Sequence, residues 1–152
     1  MTRIIKNITD IFFKQITDFG GFFFYFLILG TCLFLNELDL FFNLFLSFIF
    51  VMALGILIKL VYFKDRPKKQ KATNLFEKLD ASSFPSVHAM RAVSLAFWLS
   101  LFFNNTVFTI YCFAIAIMVM YSRIYLKKHY FIDILGGILF SGIINILIWC
   151  YA

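Results

Sequence analysis

The sequence predicts an all-α integral membrane protein, and three observations support this prediction. The 152-residue chain is 62% hydrophobic and 21% aromatic, with 23 phenylalanines. Its mean hydropathy of +0.91 is far above that of a soluble domain of this size. Apolar stretches recur along the chain at about the 20-residue length that a spanning helix needs. We therefore expect a helical bundle of about five transmembrane helices, preceded by an amphipathic helix at the membrane interface.

The N-terminal segment, residues 1–18, is predicted to be this interfacial helix. Its apolar and charged residues fall on separate helical faces. The apolar face holds Ile4, Ile8, Ile11, Phe12 and Phe19, and the charged face holds Lys6, Asp10, Lys14 and Asp18. These charges make a sixth span from this segment unfavourable. We expect no cleaved signal peptide, because no small-residue cleavage site follows a short apolar core.

Residues 19–152 are predicted to form the transmembrane part of a single domain. Five apolar stretches are candidate spans, namely Phe19–Leu35, Leu40–Phe63, Ala89–Phe103, Thr106–Tyr121 and Phe131–Tyr151. The third and fourth are short, and we expect them to extend into their flanks. We find no internal repeat and no second domain in the sequence.

The charge of the chain falls on one side of the predicted bundle. With five spans, the N-terminal helix, the basic loop of residues 64–84 and the loop of residues 122–130 share one side. The other side has no Lys or Arg. The formal net charge of +6 therefore faces one membrane surface, where it favours an anionic headgroup or a phosphate.

A polar motif lies at the start of the last apolar stretch, where ionisable side chains are costly and usually functional. It consists of Ser122-Arg123, then His129, then Asp133. Because His129 and Asp133 are four residues apart, they share one helix face. There the carboxylate can hold one ring nitrogen and leave the other free to react.

Two further motifs are predicted at helix ends on the same side. Six residues lie between Lys59 and Arg66-Pro67, and in a continuous helix the two cations would be about 10 Å apart along the axis. Pro67 disfavours α geometry at Arg66, so both cations are expected to lean over the membrane surface. The segment Ser82–His88 precedes the third span, where free backbone N–H groups form an anion site.

Taken alone, each of these residues has a purely structural alternative. Lys59 could snorkel from a span end, Ser86 could cap a helix, and Asp133 could stabilise a helix N-terminus. His129 could be an interfacial histidine. A lipid-facing basic patch could account for Arg66, Lys68, Lys69 and Lys71, and Arg91 is predicted to belong to such a patch. The catalytic interpretation is favoured because independent structural roles do not predict all three spacings together.

Together the motifs resemble the type 2 phosphatidic acid phosphatase family, which includes bacterial lipid phosphatases and the vanadium haloperoxidases. Its signature is Lys-x6-Arg-Pro, then Pro-Ser-x-His, then Ser-Arg-x5-His-x3-Asp. The chain matches it in order with Lys59 and Arg66-Pro67, Pro85-Ser86-Val87-His88, and Ser122-Arg123, His129 and Asp133. Val87 replaces the usual glycine of the family. The interfacial helix stands where membrane members commonly have the first of six spans.

The resemblance implies a phosphohistidine mechanism without a metal cofactor. His129 would attack phosphorus, Asp133 would orient and stabilise its ring, and His88 would act as general acid and then as base. Lys59, Arg66, Arg123, the Ser86 hydroxyl and the backbone at Val87 would bind the phosphate oxygens. The sequence has no clustered acidic ligands for a metal, and fixed cations would take its place.

The expected activity is hydrolysis of a membrane lipid phosphomonoester or diphosphate. Candidate substrates are an isoprenyl diphosphate, phosphatidylglycerol phosphate, phosphatidic acid or a glycolipid phosphate. A lipid phosphotransferase that uses the same histidine and a catalytically silent lipid-binding or transport protein remain alternatives. The expected partners are the bilayer and the lipid substrate, with no nucleic acid. The resemblance places the site of this multi-pass cell-membrane protein on the extracytoplasmic face, whereas the positive-inside tendency favours the cytoplasm.

Overall fold

The computed structural model describes residues 2–68 and 74–151, and every regular element in these residues is an α-helix. The helices in chain order are α1 (Thr2–Asp18), α2 (Phe22–Phe34), α3 (Leu38–Val61), α4 (Leu75–Ala81), α5 (Val87–Phe103), α6 (Thr106–Tyr125) and α7 (Phe131–Tyr151). The predicted all-α class is confirmed. The last predicted span has the same bounds as α7, and the fourth extends to Tyr125 in α6.

The apolar helices differ in whether each can cross a membrane alone. By length and composition α3, α6 and α7 can, with 24, 20 and 21 residues. Helices α1 and α2 are bent by 43° at the break between them, and they provide a fourth span if they count as one element. Helix α5 is apolar but has only 17 residues. The described residues therefore contain three or four such spans where the sequence predicts about five, because α2 and α5 are short.

The predicted basic loop of residues 64–84 is not a loop throughout, since it contains α4. Helix α3 ends at Val61, five residues before Arg66. The continuous helical register considered for Lys59 and Arg66 is therefore wrong, because irregular chain separates them. Lys69 and Lys71 of the predicted basic patch lie outside the described residues.

Helix α1 packs along α6 through aromatic and polar contacts. The Phe13 ring lies 5.4 Å from the Tyr121 ring and 4.4 Å from the Tyr125 ring, centroid to centroid. The Tyr125 hydroxyl donates a hydrogen bond of 2.9 Å to Asp10 Oδ1. Exposed apolar side chains of this helix are Ile5, Ile8, Ile11 and Phe12. An amphipathic helix of this kind suits the membrane interface.

A buried polar network joins α3, α5 and α7 in the middle of the bundle. The Asn145 carbonyl accepts hydrogen bonds from the Ser47 hydroxyl and, at 2.9 Å, from the Trp98 indole N–H. The Asn145 amide donates to the Ser94 hydroxyl at 3.0 Å and to the Ser141 carbonyl at 2.7 Å. All five side chains are buried. Because buried polar groups need partners, this network fixes how the three helices are rotated against one another.

Replacing Asn145 with alanine is expected to lower the free energy of unfolding by about 2–3 kcal/mol, because it leaves the buried donors of Ser47 and Trp98 and the buried acceptor of Ser94 with fewer partners. Denaturant unfolding in detergent micelles measures this loss. Ile146→Ala, which shortens a half-exposed neighbour on the same helix, is the matched control. Equal destabilisation by the two variants would show that the network contributes nothing specific.

Candidate active site

The structure brings the residues of the three motifs together at one end of the bundle. His88 interacts electrostatically with His129, Arg66 and Arg123. Lys59 interacts in the same way with Arg66 and Arg123. Two histidines and three cations that are distant in sequence therefore form one cluster, as the motif spacing predicts.

Backbone hydrogen bonds hold the motif segments against each other. The Ser83 N–H donates to the Lys64 carbonyl at 2.7 Å, which joins the segment before His88 to the segment after α3. The Ser86 N–H donates to the Asp133 carbonyl at 3.0 Å, which joins the start of α5 to the first turn of α7. Main-chain contacts, and not only side chains, therefore determine the shape of the site.

His129 lies in the α6–α7 loop with an exposed fraction of only 3%. Its Nδ1 is 2.7 Å from the carbonyl oxygen of Ser83. Because a carbonyl can only accept, Nδ1 carries the proton and Nε2 keeps a free lone pair. The Asp133 carboxylate lies 3.8 Å from Nδ1, which is beyond hydrogen-bond distance. Ser83, which the sequence analysis did not identify as a partner, thus selects the tautomer, and Asp133 acts through its charge.

Burial lowers the pKa of His129 from 6.5 to about 4. The interactions with Asp133 and with the Ser83 carbonyl oppose this shift, whereas the charges of Arg123 and Arg66 add to it. The imidazole is therefore neutral near pH 7. A neutral ring with its proton on Nδ1 can use Nε2 as a nucleophile.

The buried carboxylate of Asp133 is held by two donors. Oδ1 accepts from the Lys64 ammonium at 2.6 Å, and Oδ2 accepts from the Tyr130 backbone N–H at 2.8 Å. The ammonium also lies 4.9 Å from the centre of the Tyr130 ring. Lys64 is not part of any motif that the sequence indicates. Its only signal in the sequence is that it is a cation between Lys59 and Arg66.

Helix α4 positions two of the predicted phosphate-binding cations. The Lys59 ammonium donates to the Leu79 carbonyl at 3.3 Å. Arg66 is buried, and its Nη2 lies 3.3 Å from Oδ1 of Asp80, whose side chain is 74% exposed. An ion pair with so exposed a partner is weak, so the guanidinium can be shared with an incoming phosphate.

Helix α1 positions the third cation. Arg123 has an exposed fraction of 7%, and its Nη1 donates to the Thr17 hydroxyl at 2.9 Å. Among the described residues, the buried Nε of Arg123 has no hydrogen-bond partner. A buried guanidinium N–H without a partner is unusual and calls for an acceptor, which a phosphate oxygen would supply.

Ser86 is the N-cap residue of α5, and Val87 is the first residue of this helix. The Ser86 hydroxyl caps the helix at 3.5 Å from the Ala89 N–H, so the structural alternative for this residue is also met. The Val87 side chain packs toward α3, where a Cβ atom added to Gly55 would come within 2.9 Å of its Cγ2. A glycine on α3 thus makes room for the branched side chain that replaces the family glycine.

Near His88, the chain between α1 and α2 approaches α5 closely. A Cβ atom on Gly20 would lie 3.0 Å from the His88 carbonyl oxygen and 2.8 Å from Val119 Cγ1, so this approach requires glycine. Arg91, one turn further along, donates from Nε to the Gly20 carbonyl at 2.8 Å. Its exposed fraction is 1%. The lipid-facing patch predicted for Arg91 is therefore wrong, because a carbonyl and the Phe22 ring, 4.0 Å away, enclose the cation.

The chain has clear relatives. The family model of the PAP2 superfamily matches residues 24–152, a range that contains all three motifs. The crystal structure of Aquifex aeolicus LpxE is similar to this chain with a TM-score of 0.80 and 25% sequence identity, over 95% of this chain and 87% of that one. No curated protein matches the chain. The resemblance inferred from the motifs is confirmed, and the chain belongs to the PAP2 superfamily.

Proposed function

We propose that the protein hydrolyses a phosphomonoester or diphosphate of a membrane lipid through a phosphohistidine at Nε2 of His129. The observation that supports this most directly is the hydrogen bond of 2.7 Å between Nδ1 and the Ser83 carbonyl. It leaves the lone pair of Nε2 free in a site that gathers Lys59, Arg66 and Arg123.

The reaction has two steps, with His129 as the nucleophile and His88 as general acid and then as general base. Nε2 of His129 forms a bond to phosphorus as the bond between phosphorus and the lipid oxygen breaks, and His88 gives a proton to that oxygen. His88 then takes a proton from water, whose oxygen attacks phosphorus, and the P–N bond breaks to release inorganic phosphate. The negative charge of the bound phosphate favours the protonated His88 that the first step needs.

The positive charge of the ring in the phosphohistidine is stabilised by Asp133. Its carboxylate lies 3.8 Å from the Nδ1–H of His129, close enough to interact with a cationic ring. The Ser83 carbonyl accepts from the same N–H throughout. Asp133 thus contributes most when the ring is charged, as transition-state stabilisation requires.

Fixed cations take the role that a metal has in many phosphoryl-transfer sites. Lys59, Arg66 and Arg123, with the Ser86 hydroxyl and the backbone at Val87, would bind the phosphate oxygens and spread the transition-state charge. Within residues 2–68 and 74–151, no three His, Cys, Asp or Glu side chains form a group that could hold a metal ion. We therefore propose that hydrolysis does not depend on a metal. We also propose that residues 1–152 form a single domain.

We also propose that the site faces the extracytoplasmic side of the cell membrane. The motif resemblance supports this orientation. A cysteine introduced at Lys127 in the α6–α7 loop should then react with a membrane-impermeant reagent in intact cells, and protection from that reagent would favour the cytoplasmic side.

The test of the proposed function is phosphate release by the detergent-purified protein from lipid phosphates and diphosphates in the presence of chelator. We expect release to persist and a phosphoenzyme to form that is labile in acid and stable in base, as a phosphorus–nitrogen bond is. Loss of release on chelation, with recovery on adding Mg²⁺, would overturn metal independence. A folded protein that labels but releases phosphate only when an acceptor lipid is added would be a phosphotransferase, and one that does not label would be a silent lipid-binding protein.

A further inference from the structure

A second basic surface lies beside the candidate active site. A groove of about 970 Å³ runs between α1, the C-terminal end of α6 and the α6–α7 loop. Its basic residues are Lys6, Lys14, Lys68, Arg123, Lys127 and Lys128. We call it the basic groove. Its volume is at the upper end of the range of about 300–1,000 Å³ found for ligand sites and greatly exceeds the space that one phosphate group needs.

The positive charge of the basic groove is not balanced by protein carboxylates. Its lining contains six basic residues and only two acidic ones, Asp10 and Asp18. Asp10 also accepts a hydrogen bond from the Tyr125 hydroxyl. Within the described part of the chain, no lysine of the basic groove has an ion pair with a carboxylate. Such an excess of one sign attracts an anionic ligand.

The loop that carries two of these lysines is held in a defined conformation. Lys127 has a φ of 54°, and its carbonyl accepts from the Lys68 N–H at 3.2 Å. The N–H groups of Lys128 and His129 both donate to the Arg123 carbonyl, at 3.0 and 3.2 Å. Burial and the charges of Arg66 and Arg123 lower the pKa of Lys128.

The basic groove is continuous with the candidate phosphate site. Arg123 belongs to both, and Lys127 and Lys128 directly precede His129. A headgroup whose reacting phosphate lies at His129 therefore has room to extend into the groove. Its bound part would lie along α1, at the level of the membrane interface.

We propose that the basic groove binds a second anionic group of the substrate headgroup, a phosphate or carboxylate separated from the reacting phosphate by a polyol or a sugar. This inference rests on the proposed function. It favours phosphatidylglycerol phosphate or a glycolipid phosphate over phosphatidic acid, which has no second anion. It also disfavours an isoprenyl diphosphate, whose second phosphate is attached directly to the first.

The test compares hydrolysis of phosphatidylglycerol phosphate and phosphatidic acid with the same acyl chains in neutral detergent micelles. The double variant Lys14→Gln/Lys127→Gln removes two cations from the groove and none from the predicted catalytic residues. We expect it to raise KM for phosphatidylglycerol phosphate about tenfold and to leave KM for phosphatidic acid within about twofold. The matched control Lys14→Arg/Lys127→Arg keeps both charges and should behave as the wild type does.

The outcomes separate this inference from the proposed function. A wild-type protein that hydrolyses phosphatidylglycerol phosphate but not phosphatidic acid supports it, and so does a KM change limited to the first lipid. Equal changes for both lipids, or no change, overturn it while hydrolysis itself stands. KM changes that appear only after anionic phosphatidylglycerol is added to the micelles would indicate that the groove binds bilayer lipids. This outcome would also overturn the inference. If the wild type hydrolyses no lipid phosphate at all, both the proposed function and this inference fail.

Discussion

Replacement of His129 by alanine is expected to reduce kcat for lipid phosphate hydrolysis by at least about 10⁴-fold, because it removes the atom that forms the covalent intermediate. Steady-state phosphate release measures the loss. Although the imidazole is buried, the variant loses one hydrogen bond of the ring, from Nδ1 to the Ser83 carbonyl. The variant should therefore fold, and an unchanged unfolding midpoint would confirm that chemistry alone has been lost.

The companion variant His88→Ala distinguishes the nucleophile from the general acid. With p-nitrophenyl phosphate, whose leaving group needs no proton, His88→Ala should still be phosphorylated and should accumulate phosphoenzyme because water is no longer activated. His129→Ala should accumulate none. Equal labelling of the two variants would place the covalent bond on another residue. Absence of labelling in His88→Ala alone would make His88 the nucleophile.

The fold class could be predicted because the length of an apolar stretch is itself a physical requirement of the bilayer. This is why α7 has the predicted bounds and α6 ends only four residues later than predicted. Hydropathy does not show which face of a helix is buried. Arg91 was therefore assigned to the surface, although the carbonyl of Gly20 and the ring of Phe22 enclose it.

The parts of the candidate site that depend on the spacing of side chains along the sequence could be predicted. Residues four apart must share a helix face, so His129 and Asp133 were expected together. The partner of Nδ1 is instead a main-chain carbonyl, 46 residues away at Ser83. Any residue type carries such a carbonyl, so the sequence contains no signal for it. Helix α4, which contacts Lys59 and Arg66, was missed because seven residues are too few for a periodic pattern.

Lys64 is the residue outside the motifs for which the structure predicts the largest effect. Its ammonium is 2.6 Å from Oδ1 of Asp133 and balances that buried charge. Without Lys64, the carboxylate of Asp133 would interact mainly with His129, whose Nδ1 lies 3.8 Å from Oδ2. Asp133 would then stabilise the imidazolium form of His129. Since Nδ1 already carries a proton for Ser83, the added proton would occupy Nε2 and block the nucleophile.

Lys64→Met is therefore expected to raise the pKa of His129 above its wild-type value of about 4, because the charge of Asp133 is no longer balanced by the ammonium. The ring must be neutral to react, so a higher pKa moves the acid limb of the pH–rate profile to higher pH. We expect kcat/KM of the variant to fall relative to the wild type as the pH is lowered below neutrality and to match the wild type near pH 8. The charges of Arg66 and Arg123, which lower this pKa, remain in the variant and limit the shift.

Lys64→Arg is the matched variant, because it keeps a cation beside Asp133 and should retain the wild-type profile. A merely structural role for Lys64 would lower the rate by the same factor at every pH and would lower the unfolding midpoint as well. A displaced acid limb with an unchanged midpoint would support the control of His129 protonation by Lys64 through Asp133. The pH profile thus decides whether this lysine, which interacts with Asp133 and does not need to contact phosphate, positions the charge of the catalytic pair.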